Sequence, residues 1–490
     1  MNARQKSQDI TTIRVADATW WSTLEIATRY GAQFVVLVIL ARLLSPADFG
    51  LVAMVLVFTS IGALLVDSGF SVALIQRQRT SDDDETTVFT FAVATSLLIA
   101  ALLWLLAPLI ASFYVQPKLV DLTRVLALIL PFNALAAVPD ALLTMRLNFK
   151  VRARAEMLTS AGSCAVALWL AWNGFGVWSL VGQAMGAAVI RTLLLWLYAG
   201  WRPRGRFSIA SFRGLFSFGG FMLMSNLLDT LSTRLQSLLI GKLFDSRVLG
   251  YYIVAQNTQE APASFFAAVL NRVGLPVFSS VADKPAKLVE GLRMSLRIAM
   301  FLFLPGMIGI AVVSEPLVIL CYGQNWTPAA PILSILALSA AFWPLHVLNL
   351  AAITALGRSD LFFRLTVIKK VILIGLVILV SPGGAVAVAW AVFVASLVAV
   401  VVNTRYTGKL LGYGLWAQLI EQRGTLALSL LAALAGWLAL RLVSNGEIAL
   451  LLAVTTASLV YVAGAALSAH PALHQLFFLV GSMRSAKDAK

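Results

Sequence analysis

The chain has 490 residues, of which 60% are hydrophobic and 12% charged, with a mean hydropathy of +0.88. A soluble domain carries roughly 25% charged residues, so this composition excludes a water-soluble enzyme or binding module and specifies a polytopic membrane protein. The formal charge of +15 does not indicate nucleic acid, because Lys and Arg are spread over many short connections and no large polar domain exists to gather them.

Spanning about 30 Å of hydrocarbon takes roughly 20 helical residues. About fourteen apolar stretches of that length follow one another, near 20–44, 49–75, 86–113, 120–145, 155–173, 177–199, 214–241, 248–275, 297–320, 329–356, 362–381, 384–405, 425–443 and 447–469. Residues 1–19 read as a polar tail carrying Arg4, Lys6 and Arg14, too polar for the apolar region of a signal peptide, so span one is expected to stay in the mature protein. Cys164 and Cys321 lie far apart with no Cys/His cluster, which leaves no disulfide framework and no metal site to expect.

The connections sort by charge. One side collects Arg77 and Arg79, then Arg146, Lys150, Arg152 and Arg154, then Arg202, Arg204, Arg206 and Arg213. The same side continues with Lys284, Lys287, Arg293 and Arg297, with Arg358 and Arg364, with Arg405, Lys409 and Arg423, and with Arg484, Lys487 and Lys490. The opposite side offers Arg42, Lys118, Lys242, Arg247 and Arg441. The positive-inside rule makes the first side cytoplasmic, with both termini inside and an even number of spans. Asp82, Asp83, Asp84 and Glu85 share that side without weakening the assignment, since acidic residues contribute little to topology. No connection is long enough for a soluble catalytic domain, and no GxxxxGK[ST] loop, HExxH pair or nucleophile elbow is present.

An internal echo organises the spans. Leu40-Ala41-Arg42-Leu43-Leu44-Ser45-Pro46-Ala47-Asp48-Phe49-Gly50 returns 200 residues later as Ile240-Gly241-Lys242-Leu243-Phe244-Asp245-Ser246-Arg247-Val248-Leu249-Gly250. The interval covers six helices, an even number, so the halves share one orientation and form parallel repeats. The expected architecture is all-α, with two six-helix lobes at 20–200 and 214–405 joined by a basic linker at 201–213. A cytoplasmic loop at 406–424, an accessory pair of spans at 425–469 and a tail at 470–490 complete it.

The segment Ala41-Arg42-Leu43-Leu44-Ser45-Pro46-Ala47-Asp48-Phe49-Gly50, followed by Asp67-Ser68-Gly69-Phe70 and Ala73-Leu74-Ile75-Gln76, resembles the opening of bacterial polysaccharide transporters. These are the Wzx-type flippases of the multidrug/oligosaccharidyl-lipid/polysaccharide superfamily, whose fold is MATE-like. The resemblance continues through Gly241-Lys242, Leu249-Gly250-Tyr251-Tyr252, Pro262, Pro276-Val277-Phe278-Ser279 and Tyr322-Gly323-Gln324-Asn325-Trp326, and covers the chain to about residue 410. It implies export of an undecaprenyl-pyrophosphate-linked oligosaccharide across the inner membrane for capsule, exopolysaccharide or O-antigen. A polysaccharide polymerase and export machinery are the implied partners.

Such a cargo calls for a cationic, hydrogen-bonding surface inside the membrane, where ionisable residues are costly and mark function. Span one places Glu25, Thr28, Arg29 and Gln33 on one helical face. Arg29 reads either as a substrate group or as the partner of Glu25 or Asp67. Span seven lines up Asn226, Asp229, Thr230, Thr233, Gln236 and Ser237, with Arg234 at the edge. Span eight carries Gln256, Glu260, Ser264 and Asn271, with Arg272 near its cytoplasmic end. By the resemblance, spans one, seven and eight border the lobes. Lys369 and Lys370 sit about 12 Å into span eleven, too deep for both to snorkel. Arg29, Gln33, Asn226, Thr233, Arg234, Gln236, Gln256, Arg272, Lys369 and Lys370 are therefore the candidate substrate residues. Asp67, Asp229 and Glu260 are candidates for coupling to a proton or sodium gradient or to the membrane potential, with no cofactor expected.

Remaining positions read as scaffold. Arg191 is expected to snorkel, and His346 to be an interior histidine whose titration range would also suit coupling. Trp20, Trp21, Trp104, Trp201 and Trp326 are expected at the interface, and Pro131, Pro139, Pro262, Pro305 and Pro344 at kinks. Two alternatives stay open: a drug/cation antiporter of the same superfamily, which should favour an acidic cavity, and a membrane polysaccharide polymerase or ligase, which should carry a large outer loop.

Overall fold

The computed structural model describes residues 31–475 except 32, 78–79, 147, 281–284, 444–445 and 474. Among these residues the chain is helical, with no strand. It divides into two compact units, 1–253 and 254–490.

The first unit contains α1 (Gln33–Leu43), α2 (Pro46–Asp67), α3 (Phe70–Gln76), α4 (Asp82–Tyr114), α5 (Leu119–Ala127) and α6 (Ile129–Met145). It continues with α7 (Phe149–Trp172), α8 (Trp178–Ala199), α9 (Ile209–Leu243) and the first turns of α10 (Ser246–Ser280). The second holds the rest of α10, then α11 (Pro285–Val312), α12 (Ser314–Tyr322), α13 (Ala329–Ala341) and α14 (Trp343–Ala355). After these come α15 (Ser359–Val380), α16 (Ala385–Leu411), α17 (Leu415–Leu442) and α18 (Gly446–Leu467).

Local chemistry starts and stops these helices. Ser45 caps α2 in a reciprocal box with Asp48, whose carboxylate accepts from the Ser45 backbone N–H at 3.0 Å. At the matching place in the echo, Asp245 accepts from the backbone N–H of Val248 at 2.8 Å, so a different side chain performs the same capping. The Asp67-Ser68-Gly69-Phe70 motif is a bend: Ser68 and Gly69 adopt left-handed φ of 44° and 73°, ending α2 and restarting the chain as α3. Breaks at Leu128 and Phe342, just before Pro131 and Pro344, split expected spans four and ten into α5/α6 and α13/α14. A broken helix at the same place in each half is a second sign of the repeat.

Glycine gives the repeat its closest internal contact. A Cβ on Gly50 would overlap the backbone carbonyl of Ser246, and a Cβ on Gly250 would overlap that of Pro46. The first turns of α2 and α10 thus meet backbone to backbone in a reciprocal pair.

Each unit has its own core. In the first, Phe70 and Leu74 of α3 pack with Val88 of α4, Leu142 of α6, Leu195 of α8 and Leu215 of α9, all buried. The Phe70 ring lies 5.0 Å from that of Phe91 and 5.5 Å from that of Phe212. In the second, α11 lines the core with Leu288, Leu292, Leu296, Met300 and Leu304 against Leu345 and Leu348 of α14 and Val400 of α16. Pair α17/α18 is bound to this same helix. Glu421 pairs with Arg293 at 2.7 Å and Arg297 at 3.8 Å, and Tyr461 donates to the Phe301 carbonyl at 2.7 Å.

Several expectations change here. Nine helices, among the described residues, are long and apolar enough to cross a membrane. Helices α7, α9, α10 and α15 stand where spans five, seven, eight and eleven were expected but are not among the nine; α9 and α10 carry charged residues along their length, α7 in its first two turns and α15 in its first half. Helices also run beyond the apolar stretches: α11 begins at Pro285, and of the expected loop 406–424 only 412–414 is non-helical. Hydropathy reports the apolar part of a helix, not its amphipathic ends. Trp201 and Trp326 are buried within the protein, with 8% and 1% exposure, whereas Trp104 is exposed and carries the Arg124 guanidinium 4.4 Å over its ring.

The basic linker is fastened to α4. Backbone N–H groups of Arg206, Gly205 and Ser208 donate to Asp83, Thr86 and Thr87 at 2.7, 3.1 and 2.9 Å. The Trp201 indole N–H donates to Glu85 at 2.6 Å. The acidic run beginning at Asp82, silent for topology, is the receptor for this strap.

Candidate functional site

Charges held at membrane depth must be paired, hydrated or matched by a ligand. In the first unit one group of four pairs internally. Arg191 on α8 reaches Asp140 of α6 at 2.9 Å and Glu156 of α7 at 3.0 Å, while Arg152 of α7 reaches the second Asp140 oxygen at 3.0 Å. Arg191 therefore bridges two carboxylates instead of snorkelling. Two guanidinium groups and two carboxylates leave this network neutral.

A cavity of about 200 Å³ opens beside it, lined by Asp67, Ser71, Asn133, Asp140 and Arg191 among small apolar side chains. Asp67 closes α2, and its carboxylate accepts from the Ser71 hydroxyl one turn on. With Asp67 added to the neutral network, the lining carries one excess negative charge.

The span-seven stripe lies on α9. Asn226, Thr233 and Arg234 are half-buried, and Asp229 is exposed. The Thr233 hydroxyl donates to the Asp229 backbone carbonyl at 2.9 Å. Gln236 is buried, its carbonyl oxygen accepting from the Tyr252 hydroxyl at 2.6 Å. Gln33 is exposed near the start of α1, and Arg29 lies outside the described residues.

The second unit holds the other candidates. Gln256 donates to Glu260 at 2.8 Å on α10. Arg272 falls within α10, its side chain outside what is described. Lys369 and Lys370 are half-buried in mid-α15. Across α13, α14, α15 and α16 the only carboxylate is Asp360, which is engaged by Arg358 at 3.0 Å at the start of α15. A nearby polar hub is fully satisfied: Asn349 exchanges hydrogen bonds with Gln418 at 2.9 Å and accepts from Thr407 at 2.7 Å.

A family model described as polysaccharide biosynthesis protein matches residues 39–331. The chain belongs to that family. Similar proteins include the succinoglycan biosynthesis transport protein ExoT of Rhizobium meliloti (strain 1021), 27% identical over 73% of this chain and 72% of that protein. The lipopolysaccharide biosynthesis protein WzxC of Escherichia coli (strain K12) is 27% identical over 78% of each chain. Among solved structures, the lipid II flippase MurJ in an inward closed conformation superposes with a TM-score of 0.76 at 16% identity, over 92% of this chain and 98% of that one. An inward-facing multidrug resistance MATE family transporter of the MOP superfamily superposes with a TM-score of 0.59 at 15% identity, over 81% and 98%. The polysaccharide transporter resemblance and the MOP fold read from the motifs thus hold, and this family member is a multi-pass membrane protein of polysaccharide transport.

Two groupings in this family member were invisible as groupings in sequence. Arg191 was expected to snorkel and Arg152 was placed in a cytoplasmic connection, and nothing in the spacing joined either to Asp140 or Glu156. His346 was expected as an interior histidine, and its ring nitrogen Nε2 lies 3.1 Å from the Ser396 hydroxyl on α16.

Proposed function

We propose that the protein flips undecaprenyl-pyrophosphate-linked oligosaccharide repeat units from the cytoplasmic to the periplasmic leaflet of the inner membrane, for capsule, exopolysaccharide or O-antigen assembly. It works by alternating access without ATP, with both termini cytoplasmic, and delivers to a polysaccharide polymerase and its export machinery. The observation that carries this reading is Lys369, an ammonium in mid-span among four helices whose single carboxylate is occupied elsewhere. A cation at membrane depth with no free carboxylate on α13, α14, α15 or α16 fits an anionic headgroup and disfavours a cationic drug. Lys370 on the same turn, and Arg29, Arg234 and Arg272, are the further basic groups available to a pyrophosphate. Asp67, Asp229 and Glu260 are the carboxylates available for proton or sodium coupling, and Asp67 borders a cavity with excess negative charge. Against a polymerase or ligase stand the short described connections opposite the Arg-rich side, such as 115–118, 173–177 and 323–328.

A deletion strain should accumulate lipid-linked repeat units on the cytoplasmic leaflet. Accumulation on the outer leaflet would identify a polymerase or ligase instead. Complementation with Lys369→Glu should leave the accumulation in place. Full export at normal protein levels would remove Lys369 from the substrate path.

A further inference from the structure

We infer that the strap at 201–208 is a lipid-docking element: Arg202, Arg204 and Arg206 bind anionic phospholipid headgroups at the membrane surface, while Phe207 and the adjoining Ile209 enter the acyl boundary.

The level of the strap follows from the elements that hold it. It leaves α8 just past Ala199 and lies across the first turns of α4, fixed by the backbone N–H groups of Gly205, Arg206 and Ser208. Both helices are long and apolar enough to cross a membrane. The end of one and the start of the other set the strap where hydrocarbon gives way to headgroups. The first anion its surface meets there is a lipid phosphate.

Gly205 decides which way the strap faces. A Cβ at this position would overlap the backbone carbonyl of Asp82, so the chain is pressed onto α4 at that point. The arginines recur at every second position around it, the period of one face of an extended segment, and all three are exposed. Their guanidinium groups make no ion pair or hydrogen bond among the described residues. The neighbouring acids are already engaged: Asp83 by the Arg206 backbone, Asp84 by Arg77, and Glu85 by the Trp201 indole and the Thr80 hydroxyl. Arg77 and the strap together balance the four carboxylates beginning at Asp82 in number. Arg146, Lys150, Arg154 and Arg213, all exposed and all on the Arg-rich side, then leave this end of the unit with an excess of positive charge.

Apolar exposure completes the pattern. Phe207 is 51% exposed and Ile209 64% exposed, directly beside the arginines. Exposed cations next to exposed apolar side chains at the membrane boundary are the chemistry of an interfacial anchor, which pairs headgroup charge with acyl contact. A soluble acidic partner would use the arginines and leave the two apolar side chains unused.

The test uses the full chain in neutral detergent and a phosphatidylglycerol with a photoreactive group beside its headgroup, its adducts mapped by mass spectrometry. Adducts should fall on 202–209, and unlabelled phosphatidylglycerol should displace them at far lower concentration than phosphatidylcholine. Glycerol phosphate offers the anion without acyl chains and should not displace them; displacement at matched concentration would make this a soluble-anion site and sink the lipid reading. Changing Arg202→Gln, Arg204→Gln and Arg206→Gln together should weaken labelling of the strap by roughly 100-fold, at about fivefold per arginine, while lysine at all three positions should retain it. This Gln variant should melt with the wild type, because the three guanidinium groups hold no other residue. Arg154→Gln with Arg213→Gln removes charge from the same end but not from the strap, and should leave labelling nearly intact. Wild-type labelling should also fall as salt rises, which needs no variant. Absence of adducts on the strap, unchanged labelling in the triple Gln variant, an equal loss in the Arg154/Arg213 variant, or labelling indifferent to salt would each overturn the inference.

Discussion

Asp84 shows how one carboxylate serves two elements. It occupies the third position of α4, closes the capping box with Ser81 and pairs with Arg77 at 2.8 Å. Burial alone would push its carboxyl up, but hydrogen bonds from Ser211 and Ser81 and the guanidinium of Arg77 together hold it below the usual carboxylate range. A depressed native value means that the ionised form stabilises the fold above about pH 4, and that this contribution is lost as pH falls through the native value. Asp84→Asn should cost about 1–3 kcal/mol at pH 7. Thermal melts of the purified protein check it: the gap from wild type should narrow as pH drops toward 3.5, and a gap independent of pH would mean that the charge contributes nothing. At this scale the sequence showed ionisable positions without their partners. Asp140 and Arg191 are 51 residues apart, and no helical periodicity says which face of α6 meets which face of α8.

At the scale of helices, the echo motif has a steric meaning that spacing alone did not disclose. Gly50 and Gly250 let the first turns of α2 and α10 touch through their backbones, each facing the other's carbonyl. Gly50→Ala or Gly250→Ala forces those turns apart, an overpacking cost of roughly 1–3 kcal/mol or more. Either variant should melt lower than wild type and lose export, whereas Gly446→Ala, whose Cβ meets nothing within 4 Å, should resemble wild type. Equal melting temperatures for all three would show that the contact is dispensable. Helix identities were legible because runs of about 20 apolar residues have few other uses. Helix ends were not: the approach from Ala417 to Gln422 lies on α17 among polar residues, where hydropathy reads a loop. The broken spans were legible only as Pro131 and Pro344. Both were expected as kinks, and both follow a one-residue interruption of the helix.

Across the whole chain, the pair α17/α18, expected to stand outside the repeat as an accessory, packs against the core of the second unit. A stripe on α17 made of Gln418, Gln422, Thr425 and Ser429 is buried to 1% exposure or less. Hydropathy alone does not assign such a stripe to an interior, because polar residues at helical spacing read equally well as a solvated face. Here Gln418 completes the hydrogen bonds of Asn349, and Glu421 neutralises Arg293 and Arg297. Phe301 receives the Tyr461 hydroxyl and stacks 5.1 Å from the His470 ring. Deleting the chain after residue 414 would therefore strip α11 of one face and leave Arg293 and Arg297 without their carboxylate. The ion pair itself is partly exposed, with Arg293 at 47% and Glu421 at 20%, and contributes little. The cost lies in the lost packing of α17 and α18 on α11, set against a whole-domain stability of about 5–15 kcal/mol. The shortened chain should fail to accumulate as a monodisperse protein when tagged and followed by size-exclusion chromatography. Gln418→Leu, which takes hydrogen-bond partners from Asn349 and from the Tyr413 carbonyl, should accumulate but melt lower by an amount matching about 1–3 kcal/mol. A shortened chain that is monodisperse and melts with the wild type would show the pair to be detachable, and the buried polar stripe of α17 would then need another reason to exist.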